Sequence, residues 1–158
     1  MAPDAPNSGD HTPWVEKVLP TRLDRIRDTE HEVHARMLEL GYDEGQRWAV
    51  RLALEEALVN AMKHGNRMDS GRSVRVAYRV SPEKAELRVA DEGDGFDPRL
   101  VPDPTADENL RKPCGRGIML MRSYMDQVTF NSSGSEVYMV KYRRGGRPVP
   151  GLGGAVDD

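Results

Sequence analysis

The sequence has little cysteine, no long apolar run and no excess of basic residues. Its single cysteine, Cys114, makes an internal disulfide impossible and gives no sign of secretion. No apolar run approaches the ~20 residues that a membrane-spanning helix needs, and the N-terminus lacks the basic-then-apolar pattern of a secretion signal. Because 23 Lys and Arg face 26 Asp and Glu, the net charge of −3 argues against a nucleic-acid partner. We therefore expect a cytoplasmic protein with no nucleic-acid or membrane partner.

The chain has the length and composition of one globular domain. Its 158 residues are 37% hydrophobic and 31% charged, and a domain of this size buries roughly two-thirds of its unfolded surface. Residues 1–12 are rich in Pro, Asp, Asn, Ser and Gly and are predicted to be disordered. Residues 145–158 lack a core-forming pattern and are predicted to be a flexible tail. The folded domain is therefore expected to span residues 13–144.

The spacing of apolar residues predicts alternating groups of helices and strands. Apolar residues at helical spacing predict a first helix that Thr21 caps and Gly41 ends, and a buried second helix follows it. Apolar alternation predicts a hairpin, and a third helix precedes two more strands. The predicted strands are residues 14–19, 74–80, 85–89, 127–131 and 136–143, and the third helix is residues 118–125. Helices and antiparallel hairpins in this order predict an α+β fold, a two-layer sandwich.

The segment 52–66, LALEEALVNAMKHGN, is the centre of this pattern. Asp43 and Gln46 form a capping-box pattern at the start of its helix, and Gly65 is a natural end. The helix is apolar apart from two groups of polar residues: Arg47, Arg51 and Glu55 form a solvent edge, and at about 100° per residue four others fall within one arc on nearly the opposite side. They are Glu56, Asn60, Lys63 and His64. Because buried polar groups need partners, either other side chains or a ligand must satisfy this row, and the helix alone leaves both open.

Two glycine segments follow in the sequence. Asp91 stands just past a predicted strand, and Gly93 and Gly95 after it let a flat ligand approach the main chain, with Asp91 able to accept a hydrogen bond from an amine. Gly115 and Gly117 open a predicted helix, where free backbone N–H groups can bind phosphate. Taken singly, the first segment is more typical of a tight acidic turn and the second of a simple helix entry.

The combination of the three segments is more specific than any one of them. Glu56-x-x-x-Asn60, Asp91-x-Gly93-x-Gly95 and Gly115-x-Gly117 occur in this order. They resemble the N, G1 and G2 boxes of the Bergerat-fold (GHKL) ATPases. The short domain and the closing segment GSEVYMVKY most resemble the anti-sigma-factor serine kinases of that superfamily. The resemblance implies a Bergerat-type sandwich whose mixed, mainly antiparallel sheet is covered by helices on one face.

The resemblance also implies roles for the polar row of the central helix. Glu56 would be the general base that orients the attacking hydroxyl or water. Asn60 would hold Mg²⁺ through its amide oxygen, a ligand type that Mg²⁺ prefers. Lys63 would contact a phosphate, whereas His64 would pack against the sheet and bond a backbone carbonyl.

The remaining implied roles concern ATP. Asp91 would read the adenine amine, with Gly93 and Gly95 lining the base pocket. Residues 96–114 would form a lid. The backbone N–H groups of the segment that opens the third helix would bind the phosphates; this segment is Gly115, Arg116 and Gly117. In the last hairpin, Ser135 keeps one of the hydroxyls that the family often carries there, but Glu136 replaces the second.

The implied function is that of an ATP-dependent protein serine/threonine kinase and partner-switching anti-sigma factor. Such a protein binds a sigma factor or phosphorylates a serine on a STAS-type antagonist, and the resemblance suggests a homodimer. Two alternatives stay open. One is a non-catalytic, ATP-regulated binding module, against which the spacing of Glu56 and Asn60 argues. The other is a catalytic domain related to sensor histidine kinases, against which the lack of a proline after the His31-Glu32 pair argues.

Overall fold

The computed structural model describes residues 12–93 and 113–144, with the backbone alone for residues 113–116. Several expectations lie outside this part of the chain. They concern the disordered N-terminal segment up to residue 11, the tail 145–158, Gly95, and the lid between residues 96 and 112.

The described residues form a five-stranded sheet and three α-helices. The sheet order is β1-β2-β3-β5-β4, and all its pairings are antiparallel. The elements are β1 (Val15–Pro20), α1 (Ile26–Glu39), α2 (Glu44–Val59), β2 (Ser73–Val80), β3 (Lys84–Ala90), α3 (Pro113–Tyr124), β4 (Gln127–Phe130) and β5 (Glu136–Tyr142). The helices and one face of the sheet enclose a single hydrophobic core. The predicted α+β two-layer sandwich is confirmed.

The start of α1 differs from its prediction. A short 3-10 turn, Leu23–Arg25, precedes the helix, and Thr21 does not cap it. The Thr21 hydroxyl instead donates a hydrogen bond of 2.6 Å to the carbonyl of Arg72, at the start of β2. The end of α1 is as predicted, because Gly41 adopts φ 86°, a left-handed conformation that favours glycine.

Helix α2 is the buried centre of the fold. Its capping box is formed as predicted, with the Gln46 N–H donating to Asp43 Oδ1 at 2.7 Å and the Asp43 N–H donating to Gln46 Oε1 at 3.3 Å. The Gln46 amide also donates to the carbonyl of Tyr142 at 2.7 Å, which fixes the helix to the end of β5. Val50, Leu54 and Leu58 are fully buried against the sheet and the neighbouring helices.

The last turn of the central helix is wider than the α-helix that the sequence predicts. Residues Asn60–Gly65 form a π-helical turn, and the Asn66 N–H donates to the carbonyl of Ala61, five residues earlier, at 2.7 Å. Turns of this kind are frequent at functional sites. The widening changes the direction of the side chains, and both Lys63 and His64 are exposed. The prediction that His64 packs against the sheet is therefore wrong.

Helix α3 begins five residues before its predicted start. Its first residue is Pro113 rather than Ile118, and proline is favoured at the first position of a helix. Gly115, Arg116 and Gly117 therefore lie within the first turns of α3 and not before it. Among the described helices, none is long and apolar enough to cross a membrane.

Candidate functional site

Glu56 and Asn60 lie one turn apart at the C-terminal end of α2, where α3 crosses it. A methyl group added at Gly117 of α3 would stand 3.0 Å from Glu56 Oε1 and 2.9 Å from Asn60 Nδ2. The lack of a side chain at Gly117 therefore lets the backbone of α3 pack directly against both polar groups. Within the described part of the chain, neither side chain has a hydrogen-bond partner. The structure thus brings together Glu56, Asn60 and Gly117 and leaves their polar atoms available to a ligand.

The carboxylate of Glu56 is partly buried where α2 and α3 meet. Burial raises its pKa above the ordinary value, and the charge of Glu55 raises it further. A carboxylate whose pKa is raised toward neutrality is a stronger base at physiological pH. The environment of Glu56 therefore suits a general base.

The donor set at Asn60 fits Mg²⁺ that is shared with a nucleotide. Residues 12–93 and 113–144 contain no group of three His, Cys, Asp or Glu side chains that could hold a metal by themselves. Mg²⁺ is usually bound through one or two protein oxygens and completes its shell with water and substrate phosphates. The amide oxygen of Asn60, which has no hydrogen-bond partner among the described residues, can supply such a ligand.

Asp91 is held at the end of β3 by backbone contacts. Its N–H donates to the carbonyl of Ser135 at 2.9 Å, and the N–H of Gly93 donates to its Oδ1 at 2.8 Å. Burial raises the pKa of Asp91, although the Gly93 N–H and the charge of Arg72 oppose this effect. Oδ2 accepts no hydrogen bond from any described residue, so it can accept one from a ligand amine.

The loop that carries Asp91 packs directly on the end of the central helix. A side chain at Gly65 would collide with the Asp91 carboxylate, and one at Gly93 would collide with the Gly65 carbonyl. Both glycines are therefore required by close approach of the backbone. Sequence reasoning treated Gly65 only as a helix end and missed this contact. It also missed Asn66, whose buried amide oxygen accepts a hydrogen bond from the Glu92 N–H. The one indication of this role in the sequence is the position of Asn66 next to Gly65.

The other predicted site residues are distributed around this centre. The carbonyl of Ser135 accepts the hydrogen bond from the Asp91 N–H, and the Ser135 hydroxyl forms a hydrogen bond of 2.8 Å with Ser133 Oγ. Lys63 is exposed on the π-helical turn. Gly115 and Arg116 fall among the first four residues of α3, whose N–H groups have no partner within a helix. Gly95 is outside the described residues.

Comparison with known proteins is consistent with this geometry. The family described as histidine kinase-like ATPase domain matches residues 19–141. The serine-protein kinase RsbW of Bacillus subtilis (strain 168) is 32% identical over 150 residues, which cover 89% of this chain and 91% of that protein. The serine-protein kinase RsbW of Bacillus velezensis is 32% identical over 143 residues, covering 85% and 88%.

A solved structure shares the fold. The RsbU and RsbW domains of Rv1364c from Mycobacterium tuberculosis align with a TM-score of 0.58 at 17% identity, over 87% of this chain and 35% of that one. At this identity the structural similarity shows a shared fold only. The family is shown by the sequence comparisons. The chain belongs to the histidine kinase-like ATPase family, among the relatives of the serine-protein kinase RsbW.

Proposed function

We propose that this protein is an ATP-dependent serine kinase that phosphorylates a STAS-type antagonist and, in its other state, binds a sigma factor. The observation that carries the proposal is the pair of unpartnered side chains, Glu56 and Asn60, packed against the bare Cα of Gly117. A binding module needs a nucleotide pocket, but it does not need a half-buried carboxylate one turn from the metal ligand. The relatives named serine-protein kinases support the same reaction.

The nucleotide is proposed to lie between the Asp91 loop and the start of α3. The free Oδ2 of Asp91 accepts from the exocyclic amine of adenine, and Gly93, which packs against the Gly65 carbonyl, lines the base pocket. The N–H groups of Gly115 and Arg116 at the start of α3 bind phosphate oxygens, with help from the helix dipole. Lys63, Gly95, Gly117 and Ser135 complete the proposed contacts.

The proposed reaction transfers the γ-phosphoryl group of ATP to a serine hydroxyl. A bond forms between the serine oxygen and the γ-phosphorus, the bond to the bridging oxygen of ADP breaks, and Glu56 takes the hydroxyl proton. Mg²⁺, bound by Asn60, would neutralise charge on the phosphates. Transfer of this kind depends mostly on positioning and charge stabilisation, which Glu56 and Asn60, one turn apart, would provide.

Partner switching follows from having two protein partners for one kinase. A sigma factor acts in the cytoplasm, and we place this protein there with it. Phosphorylation of the antagonist would end its competition for the kinase and leave the kinase free to bind the sigma factor. The phosphorylation state of the antagonist would thus determine which partner is held.

We further propose a homodimer formed through the face of the sheet that the helices leave uncovered. This face has a groove of about 280 Å³ whose floor includes Ala77 and Ala90. The groove is lined by side chains of both charges, with the basic Arg75 and Arg88 on the two middle strands and the acidic Glu16 and Glu136 on the strands to either side. A surface that carries both charges can pair with itself across a two-fold axis.

Light scattering on the full chain tests the dimer. We expect wild type to be dimeric, Arg75→Glu to be monomeric, and the swap Arg75→Glu with Glu16→Arg to recover association. The exposed Arg27→Glu on α1 serves as a charge-matched control and should remain dimeric. Monomeric wild type, or dimeric Arg75→Glu, contradicts this interface.

The kinase proposal is tested by incubating the protein with Mg-ATP and candidate STAS-domain proteins and identifying phosphoserine by mass spectrometry. We expect one partner to be phosphorylated at a single serine. Failure of all partners, together with ATP-dependent binding of a sigma factor, would favour the non-catalytic module.

A further inference from the structure

We propose that Asn66 is a positioning residue that fixes the Asp91 loop to the end of the central helix, and so prepares the adenine site before nucleotide binds. The inference deepens the proposed function, because it concerns how the same nucleotide site is built. It rests on a buried hydrogen-bond network that none of the ATP contacts described above includes.

The side chain of Asn66 is fully buried and uses all its usual hydrogen-bonding groups. Its Nδ2 donates to Thr21 Oγ1 and to the carbonyl of Ser73, both at 3.0 Å. Its Oδ1 accepts from the N–H of Glu92 at 2.8 Å. One amide therefore connects the segment after β1, the start of β2 and the residue that follows Asp91.

The backbone that follows Asn66 is strained, and the hydrogen bonds around Asn66 can hold it in this conformation. Arg67 and Met68 both adopt left-handed conformations, with φ of 54° and 57°, which residues with side chains rarely adopt. The Asn66 N–H donates to Ala61 and the Met68 N–H donates to Met62, both at 2.7 Å. The chain thus leaves the π-helical turn in one fixed direction and directs the Asn66 side chain at the loop.

The consequence for Asp91 is that it is anchored on both sides. Before it, β3 is paired with β2 and β5 up to Ala90. After it, the Glu92 N–H is held by Asn66, and the Glu92 carboxylate accepts from the Ser73 N–H at 3.2 Å. The main chain at Asp91 cannot move away from Gly65 without disturbing the Glu92 contact. Asn66 therefore acts through Glu92 and not by touching the nucleotide.

Three variants of the full chain separate positioning from stability. Asn66→Ala removes both the Nδ2 donors to Thr21 and Ser73 and the Oδ1 acceptor of the Glu92 N–H. Asn66→Asp keeps an oxygen for the Glu92 N–H but loses the donors to Thr21 and Ser73. Thr21→Val is the matched control, because it removes a hydroxyl from the same buried cluster without touching Glu92. Each variant is titrated with Mg-ATP by calorimetry and unfolded with urea.

We expect Asn66→Ala to weaken ATP binding by about tenfold, the scale of one buried donor left unpaired. At saturating ATP its transfer rate should stay near wild type, so that the change appears in KM and not in kcat. Asn66→Asp and Thr21→Val should both lose stability and yet bind ATP within about threefold of wild type. Wild-type affinity in Asn66→Ala, or an equal loss of affinity in Thr21→Val, overturns the proposal.

Hydrogen exchange of wild type gives a second test that does not depend on whether Asn66→Ala folds. The Glu92 amide should be protected in the nucleotide-free protein, because Asn66 already holds it. Rapid exchange of this amide overturns the proposal even if ATP binds. Wild type that binds no ATP but protects Glu92 would contradict the proposed function and leave the positioning of the loop intact.

Discussion

The Cα of Gly117 lies so close to the side chain of Asn60 that a methyl group there would stand 2.9 Å from the amide nitrogen. This contact joins two sequence motifs that are more than fifty residues apart. It places the backbone of α3 beside the proposed metal ligand and base, and it explains why this position has no side chain.

Gly117→Ala should therefore weaken Mg-ATP binding while the protein remains folded. The added methyl group forces Asn60 and Glu56 away from their positions, and both are flexible side chains that can yield. Calorimetric titration with Mg-ATP, beside urea unfolding, measures the two effects. Gly45→Ala is the matched control, because its new methyl group would lie 3.6 Å from Asp43 Oδ1, an ordinary contact. Equal ATP affinities in both variants would contradict the proposed role of the contact between Gly117 and the Asn60 and Glu56 side chains.

Asp91 should make the site prefer adenine to guanine nucleotides. Its free Oδ2 accepts from the exocyclic amine of adenine, and guanine has a carbonyl at that position. An acceptor left unpaired on burial costs about 1–3 kcal/mol, so ATP should bind at least several-fold more tightly than GTP. Asp91→Asn should reduce this preference. The check is calorimetry with both nucleotides on both proteins, and equal affinities in wild type would refute the assignment.

The free energy of unfolding should change with pH partly because of Glu30, which is buried between α1 and α2. Burial, and then the neighbouring carboxyl of Glu55, raises the pKa of Glu30 from 4.5 to about 7, although Arg51 opposes this. Since the native state binds this proton more tightly than the unfolded state does, the contribution to stability is complete below pH 4.5 and is lost as the pH rises through about 7. Glu30→Gln should therefore remove part of the fall in the urea midpoint between these two values.

Glu32, two residues further along α1, provides a control because its pKa is shifted in the opposite direction. Burial raises its pKa, but hydrogen bonds from Lys17 and Tyr78 outweigh burial and hold it below the ordinary value. Its contribution is present above that value and is lost as the pH falls. Glu32→Gln should thus leave the loss of stability near neutral pH unchanged. If Glu30→Gln and Glu32→Gln give the same pH dependence, the assignment to Glu30 is wrong.

The pattern of the sequence predicted the fold well where local signals and burial agree. The capping box of α2, the left-handed Gly41 and the strands of the sheet depend on short-range rules that the sequence carries in full. The start of α3 was missed, because a proline that ends one segment can also begin a helix. Thr21 was read as a cap because the partner it actually bonds, Arg72, is distant in sequence.

The sequence named candidate site residues, which stay predictions, but it gave no information about how they pack together. The spacing of Glu56 and Asn60 gives neighbours on any helix, so this pair could be found. The π-helical turn could not, because it depends on tertiary contacts at the helix end. The contacts of Gly65 with Asp91 and of Asn66 with Glu92 are likewise set by how the loop meets the helix. The roles of all the proposed site residues, Glu56 and Asn60 included, stay predictions.

The central claim is that Glu56 serves the chemical step while Asn60 serves Mg-ATP binding. Single-turnover transfer from radiolabelled ATP to a serine-bearing partner, run beside a binding titration of each variant, tests it most directly. Glu56→Gln keeps the shape and removes the base, so it should bind Mg-ATP within a few-fold of wild type and transfer about 10²–10⁴-fold more slowly. Asn60→Ala should weaken Mg-ATP binding itself, because it removes a metal ligand. Transfer by Glu56→Gln at the wild-type rate would contradict the kinase mechanism.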